Sequence, residues 1–134
     1  MISKTIFATL LVAAVNAAEP NPPNWDTEHV LIFEDNDPNC QQRVDAVWHE
    51  MGGEGRNGQF SDNRYALMFK PGSHCNVNVG YYTQVIGLGL EPSQTILPNL
   101  YCPDSGGNAL DNFWRGVENV EIHSDNNDVM WHVS

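Results

Sequence analysis

Positively charged residues are scarce in this chain of 134 residues: Lys and Arg together number 6, against 17 Asp and Glu. The formal net charge at neutral pH is therefore −11. A surface this acidic repels phosphate backbones, which argues against a nucleic-acid partner. It also disfavours a polyanionic glycan such as pectate unless a cation bridges the two. A neutral polysaccharide or oligosaccharide is the better expected partner.

Several catalytic and metal-binding motifs are also absent. The 5 histidines show neither HExxH nor HxxxH spacing, and no CxxC pair occurs. There is no Gly-rich phosphate loop and no G-x-S-x-G turn, so neither nucleotide chemistry nor a serine hydrolase is supported. The acidic stretches 34–39 and 124–128 carry oxygen ligands suited to Ca²⁺ but lack the glycine and closing glutamate of an EF-hand loop, and turns are predicted there. No cofactor and no metal ion is expected.

Long apolar runs are confined to the N-terminus. Lys4 is followed by an apolar stretch and then by small residues, the pattern of a secretory signal peptide cleaved after Ala17. The stretch is too short to span a bilayer, which takes about 20 apolar residues. The sequence therefore predicts a signal peptide at 1–17, a loose leader at 18–28 and one domain at 29–134. The protein is expected to be secreted and extracellular, with no membrane contact after cleavage.

One segment, 40–51, has helical periodicity. Its apolar residues recur at i, i+3, i+4 and i+7, namely Val44, Val47, Trp48 and Met51. Asn39 can cap the N-terminus of this helix, and the two glycines at 52–53 end it.

The rest of the domain alternates short β runs with turn residues. The runs lie at 29–34, 65–69, 77–89, 95–101, 117–122 and 129–133. No long helix separates them, which argues against a doubly wound α/β fold. No Asn-Gly or Asp-Gly turn joins them, which argues against a sandwich of tight hairpins. Unequal strands with Asn- and Gly-rich corners favour a mostly β fold, a parallel β-helix whose N-terminal end is capped by the helix at 40–51.

The last β run, 129–133, has no turn or cap after it. An open end of a β-helix exposes apolar side chains and unpaired backbone groups. We therefore expect an unfinished last coil in a truncated chain that forms the N-terminal part of a longer domain. Self-association through the open C-terminal coil is a further expectation.

Three segments carry a resemblance to a known group of proteins. They are NRYALMFKPGSHCNVNVGYYTQVIGLG at 63–89, NFWRGVENVEI at 112–122 and VMWHVS at 129–134. The chain resembles secreted right-handed parallel β-helix proteins of the pectate-lyase-like superfamily over about 29–134. It departs from their pattern at His132, where Ala is usual, and at His74-Cys75, where an aromatic residue is usual.

The resemblance implies a function. These proteins are related in architecture to polysaccharide lyases and β-helix glycoside hydrolases, so a carbohydrate-active protein is implied, with the reaction open between glycoside hydrolysis and lyase elimination. Their later coils would carry the catalytic groove, which implies that this chain is an incomplete and inactive N-terminal portion. The alternative is a non-catalytic secreted glycan-binding or interaction module.

Candidate substrate-binding residues lie near the end of the chain. Trp114 can stack on a sugar ring and Arg115 can hold its hydroxyl groups. Glu118 is a third candidate, although Glu121 is not expected to complete a catalytic pair with it, because residues three apart in a strand face opposite sides. In the run at 77–89, one of two adjacent tyrosines, 81 and 82, should face the core and the other the solvent.

The three cysteines allow one disulfide and one remaining thiol. If each coil takes about 25 residues, Cys75 and Cys102 lie at similar positions on neighbouring coils, and stacked strands about 4.8 Å apart suit a disulfide. The sequence therefore predicts a bridge between Cys75 and Cys102, with Cys40 outside it. A bridge between Cys40 and Cys102, joining the helix to a coil, is the alternative.

Overall fold

The structure, a computed structural model, describes residues 28–52, 57–103 and 112–124 and the backbone of 130–131. The predicted signal peptide, nearly all of the predicted leader and His132 lie outside these residues, and the predictions about them stay predictions. The helices in the described part are all too short or too polar to cross a membrane.

The described residues form ten short strands, one α-helix and one 3-10 helix. In chain order these are β1 Val30–Phe33, α1 Cys40–Met51, β2 Tyr65–Phe69, β3 Gly72–Ser73, β4 Val77–Asn78, β5 Thr83–Gly87, the 3-10 helix Pro92–Gln94, β6 Thr95–Leu97, β7 Leu100–Cys102, β8 Arg115–Glu118, β9 Glu121–Ile122 and β10 Met130–Trp131.

The strands pair into three sheets, and every pairing is parallel. One sheet has the order β1-β2-β5-β8, a second β3-β6-β9 and a third β4-β7-β10. The chain adds one strand to each of the three sheets in turn and then begins again with the next strand of the first sheet. Successive turns of the coil therefore stack on one another. A mostly β fold with parallel strands and one α-helix, as predicted, is confirmed.

Corners divide three of the predicted β runs into two strands each. Pro98, which has no backbone N–H to donate, and Asn99 separate β6 from β7. Asn119, with a φ of 56°, separates β8 from β9, and its side-chain amide donates to the Gly87 and Gly89 carbonyls of the coil below at 2.8 and 2.7 Å. Left-handed φ values let the chain turn sharply between two sheets.

The core lies inside the coil and is built from stacked rows of inward-facing side chains. Leu67 of β2 pairs in register with Val85 of β5, and both are fully buried. Phe33 of β1 stacks on Phe69 of β2, with ring centroids 4.5 Å apart and an interplanar angle of 14°. Because parallel strands place like positions directly above one another, each row becomes a continuous apolar column.

Helix α1 is confirmed at the predicted bounds, and its buried residues include Val44, Val47 and Met51. Its C-terminal end is at Gly52 as predicted, and its N-terminal end differs from the prediction in one respect. The Asn39 side chain makes no capping hydrogen bond. Only glycine fits at position 52, because a Cβ there would collide with the Trp48 ring and lie 2.8 Å from the Gly80 Cα.

The predicted disulfide between Cys75 and Cys102 is wrong, and so is its alternative. The structure joins Cys40 to Cys75, with Cα atoms 5.8 Å apart, and Cys102 is a buried thiol. The error lies in the assumed coil length. Val77 pairs with Leu100 in the register of β4 and β7, so Cys102 lies above Val79 and not above Cys75. Cys75, just before β4, instead faces the first residue of α1.

A carboxylate on the turn before α1 predicts a pH dependence. The backbone N–H of Asn39 and then the Arg43 guanidinium hold the pKa of Asp37 below its ordinary value of about 3.8. Because the folded-state pKa is the lower one, the stabilisation by Asp37 is present above pH 3.8 and is lost as the pH falls through the folded-state value.

We therefore expect Asp37→Asn to flatten the fall in melting temperature between about pH 5 and pH 2. Asp45→Asn makes the same change of charge on α1 and is the matched control. Thermal denaturation followed by circular dichroism measures both. A pH profile of Asp37→Asn that runs parallel to that of the wild type would contradict this assignment.

Candidate functional site

Three side chains stack at one corner of the coil, directly before the first sheet. Arg64, Tyr82 and Trp114 each immediately precede a strand of that sheet, β2, β5 and β8. The first residues of these strands pair in register, so the three preceding residues occupy the same position on successive turns, about 4.8 Å apart. We refer to Arg64, Tyr82 and Trp114 as the corner stack.

The members of the corner stack contact one another face to face. The Tyr82 and Trp114 rings are 4.9 Å apart between centroids, with an interplanar angle of 14°. The Arg64 Cζ lies 3.7 Å from the centroid of the Tyr82 ring, within range of a cation–π interaction. Because the order along the coil axis is fixed by the register, Tyr82 lies between the other two.

Both aromatic members have strained backbones. Tyr82 has a φ of 49° and Trp114 a φ of 56°. A bulky residue in the left-handed region costs on the order of 1–3 kcal/mol, and such residues occur most often at ligand-binding and active sites. Glycine would adopt these angles without strain, so the rings themselves have a role that the backbone geometry alone does not explain.

The corner stack borders a shallow pocket of about 330 Å³. The pocket is lined by Arg64, Tyr82, Thr83, Gln84, Trp114 and Arg115. Trp114 is 51% exposed. Phe60 and Phe113, which are also exposed, contact the Trp114 ring at centroid distances of 5.8 and 5.3 Å. Thr83 is buried, and its hydroxyl donates to the Tyr81 carbonyl at 3.0 Å. The exposed aromatic ring beside the Gln84 amide suits a ligand with one flat apolar face and a polar edge.

The two sequence-predicted neighbours Trp114 and Arg115 have different surroundings. Arg115 borders the pocket, but its Nη1 donates to the Val79 carbonyl at 2.7 Å, and its Cζ lies 4.4 Å from the centroid of the buried Tyr81 ring. Its guanidinium therefore ties β8 to the interior of the coil. Of the tyrosine pair, Tyr81 is fully buried and Tyr82 faces outward, as the alternation predicted.

Glu118 lies on the outer side of the same sheet. Its Oε1 accepts a hydrogen bond from the Gln84 Nε2 of the neighbouring strand at 2.9 Å. Glu121 lies in the second sheet and pairs with His123. The two carboxylates thus have separate partners on separate sheets, because the corner at Asn119 divides the single predicted run into β8 and β9.

Arg64 and Gln84 were not identified from the sequence. Strand pairing brings them near Trp114. The turns of the coil between these positions differ in length, so no regular spacing in the sequence marks them as neighbours. A repeated pattern could have revealed Arg64, since a long or aromatic side chain precedes β2, β5 and β8 at Arg64, Tyr82 and Trp114. In the described ranges, no three His, Cys, Asp or Glu side chains come close enough together to hold a metal ion.

Comparisons with known proteins identify a glycoside hydrolase as a relative. No protein-family model matches the chain. Over 111 residues, 79% of this chain, it is 40% identical to an exo-beta-1,3-glucanase of Streptomyces sp. (strain SirexAA-E / ActE), and the match covers 18% of that enzyme.

Two solved structures are similar to this chain. The structure of sacteLam55A from Streptomyces sp. SirexAA-E gives a TM-score of 0.68 at 37% identity, covering 79% of this chain and 20% of that one. A variant of sacteLam55A in complex with glucose gives a TM-score of 0.70 at 40% identity, covering 79% of this chain and 19% of that one. The chain spans about a fifth of the length of the proteins it matches, and it is glycoside-hydrolase-like over that part.

This finding corrects the assignment made from the sequence motifs. The segments at 63–89 and 112–122 resembled pectate-lyase-like proteins, but the proteins that the chain matches are an exo-beta-1,3-glucanase and its solved structures. These motifs do not distinguish one activity from another, because turns such as Lys-Pro-Gly occur in β-helix proteins with many different activities.

Proposed function

We propose that this chain is a secreted, carbohydrate-active protein whose corner stack binds β-1,3-linked glucan. We infer also that its coil is a right-handed parallel β-helix with α1 at the N-terminal end. The similarity to an exo-beta-1,3-glucanase over 79% of the chain supports both proposals. The predicted signal peptide at 1–17 supports secretion, because an extracellular protein can reach a polymer that does not enter cells.

The exposed Trp114 ring, held parallel to Tyr82 beside the pocket, is the observation that carries the proposed function. A glucose ring has a flat face of C–H groups, which packs well on an aromatic ring, and a rim of hydroxyl groups. Gln84 lies in the same pocket, and its side-chain oxygen can accept a hydrogen bond from such a hydroxyl. Stacking on Tyr82 fixes the orientation of Trp114 in advance, so less side-chain entropy is lost when a sugar binds.

We further propose that the described residues bind the glucan without cleaving it. Most glycosidases place two carboxyl groups about 5–10 Å apart across the bond that breaks. Glu118 bonds Gln84, and Glu121 pairs with His123 on another sheet. This arrangement supports a role in holding the polymer, and the match to a glucanase favours hydrolysis over lyase elimination for the longer relatives.

Trp114→Ala is expected to weaken binding to an insoluble β-1,3-glucan by at least about fivefold, because truncation of a stacked aromatic anchor costs more than about 1 kcal/mol. Trp114→Phe keeps a ring on Tyr82 and should retain part of the affinity. Depletion of the protein from solution at increasing polymer concentration measures all three affinities, with a reducing-sugar assay on the same samples to detect hydrolysis.

Leu90→Ala is the matched control. Leu90 is 94% exposed and does not line the pocket, so its loss tests non-specific apolar adsorption. Equal affinity of the wild type and Trp114→Ala for the glucan would refute the proposed function of the corner stack. Release of reducing sugar by the wild type, abolished in Glu118→Gln, would refute binding without cleavage.

A further inference from the structure

Phe60 is an exposed aromatic residue that lies beside the corner stack but does not line the pocket. We propose that Phe60 is a second sugar-contacting residue, and that the site holds two consecutive units of a glucan, one on Trp114 and the next on Phe60. The inference rests on the proposed function, because it extends the same site by one sugar unit.

The backbone and the exposure of Phe60 are both unusual for an aromatic residue. Its ring is 74% exposed, the largest exposed fraction of any aromatic side chain in the described ranges, and its φ is 62°. A bulky residue is strained in the left-handed region, whereas glycine is not. Burial of the ring does not offset this strain, because most of the ring faces solvent. Phe60 shares the left-handed backbone with Tyr82 and Trp114, and such residues cluster at ligand-binding sites.

The loop that carries Phe60 is held to the end of α1 at two points. The Asn57 Nδ2 donates to the His49 carbonyl at 2.9 Å, and the Asn63 Nδ2 donates to the Glu50 Oε1 at 2.6 Å. These hydrogen bonds lie on both sides of Phe60 in the chain. The ring is therefore positioned before a ligand arrives, and less conformational entropy is lost on binding.

Arg64 links the same loop to the corner stack. Its Nη1 donates to the carbonyl of Ser61, the residue after Phe60, at 2.7 Å, and its Cζ lies 3.7 Å from the centroid of the Tyr82 ring. The Phe60 ring in turn contacts the Trp114 ring, with centroids 5.8 Å apart. Because Tyr82 stacks on Trp114, these contacts form a closed circuit. The circuit fixes the two exposed rings, Phe60 and Trp114, relative to each other.

The angle between these two rings suits a ligand with two apolar surfaces. The planes of Phe60 and Trp114 are inclined by 65°, whereas those of Tyr82 and Trp114 differ by only 14°. The flat faces of one pyranose ring are on opposite sides, so a single sugar cannot lie flat on both aromatic planes. Two linked units can, because rotation about the glycosidic bond inclines one ring to the next. The second unit then lies just outside the pocket.

Two sugars of different length test the proposal: glucose and the β-1,3-linked disaccharide of glucose. Their dissociation constants are measured by nuclear magnetic resonance titration of the Trp114 indole N–H signal, for the wild type, Phe60→Gly, Phe60→Tyr and Leu90→Ala. Glycine adopts a φ of 62° without strain and the Phe60 ring is mostly exposed, so Phe60→Gly is expected to keep the fold. Phe60→Tyr keeps the ring, and Leu90→Ala removes an exposed apolar side chain that does not line the pocket.

We expect the wild type, Phe60→Tyr and Leu90→Ala to bind the disaccharide about threefold to tenfold more tightly than glucose. Phe60→Gly should bind the two sugars within about twofold of each other, because the second unit has lost its aromatic contact. The affinity of Phe60→Gly for glucose should stay within about twofold of the wild-type value, because the stacking of Trp114 on Tyr82 is kept.

An equal loss of both affinities in Phe60→Gly would mean that Phe60 acts only by supporting Trp114, and an unchanged ratio would mean that it does not contact the sugar. Either result would overturn this inference and leave the proposed function in place, as would equal affinities of the wild type for the two sugars. Binding of neither sugar by the wild type would overturn both.

Discussion

Replacing Cys40 and Cys75 together by alanine is expected to lower the free energy of unfolding by roughly 3–4 kcal/mol. The two cysteines are 35 residues apart in the chain, and their bond removes the closure entropy of that loop from the unfolded state. It also fixes the first residue of α1 to the segment before β4. Without it, the helix keeps only its apolar face and a few polar contacts, such as Gln41 with the Asn76 carbonyl.

Chemical denaturation of the double variant measures this loss. Cys102→Ala is the control, because it removes a cysteine side chain without removing a disulfide. A smaller loss of free energy of unfolding is expected, because only one small buried group is deleted. A reducing agent should lower the stability of the wild type by a similar amount to the double substitution. Identical denaturation curves for the wild type with and without reductant would contradict the assigned disulfide.

Phe69→Ala is expected to lower the free energy of unfolding by about 3–5 kcal/mol. The Phe69 ring is fully buried, stacks on Phe33 at 4.5 Å and meets the His74 ring at 5.0 Å. The Gly87 position above it in the next turn has no side chain to fill the cavity. The cost therefore includes both the lost burial of the ring and an unfilled space between two turns of the coil.

Met68→Ala on the same strand is the matched control. Met68 faces outward and is only partly buried, so its loss should cost under about 2 kcal/mol. Urea denaturation measures the difference in free energy of unfolding between the two variants, when both curves are fitted with the same dependence on urea concentration. Equal losses for the two variants would mean that β2 does not present alternate residues to the inside and outside of the coil.

The sequence predicted those parts of the fold that depend on local periodicity. Helix α1 was located at its observed bounds because Val44, Val47 and Met51 recur at helical spacing and glycine follows. The β runs were located because turn residues lie on both sides of each run. The corners within the runs were missed, because a left-handed φ at Asn119 leaves little trace in the apolar pattern.

Stacking between turns of the coil could not be predicted from local pattern. Ala66 pairs with Val30 of one turn and with Gln84 of the next, and the two spans of chain differ about twofold in length because one includes α1. A uniform coil length therefore gave the wrong disulfide. For the same reason Trp114 was identified as a single candidate residue, while its contact with Tyr82 was not.

The proposed function depends most on a sugar contacting the Trp114 ring, and nuclear magnetic resonance tests this contact directly. In ¹⁵N-labelled protein, the indole N–H signals of the 4 tryptophans are followed while a short β-1,3-linked glucose oligosaccharide is added, with the Trp114 signal assigned from Trp114→Phe. We predict a saturable shift of the Trp114 signal, while that of Trp48, on α1, stays in place. A saturable shift elsewhere with the Trp114 signal unmoved, or no shift of any signal, would contradict sugar binding at the corner stack.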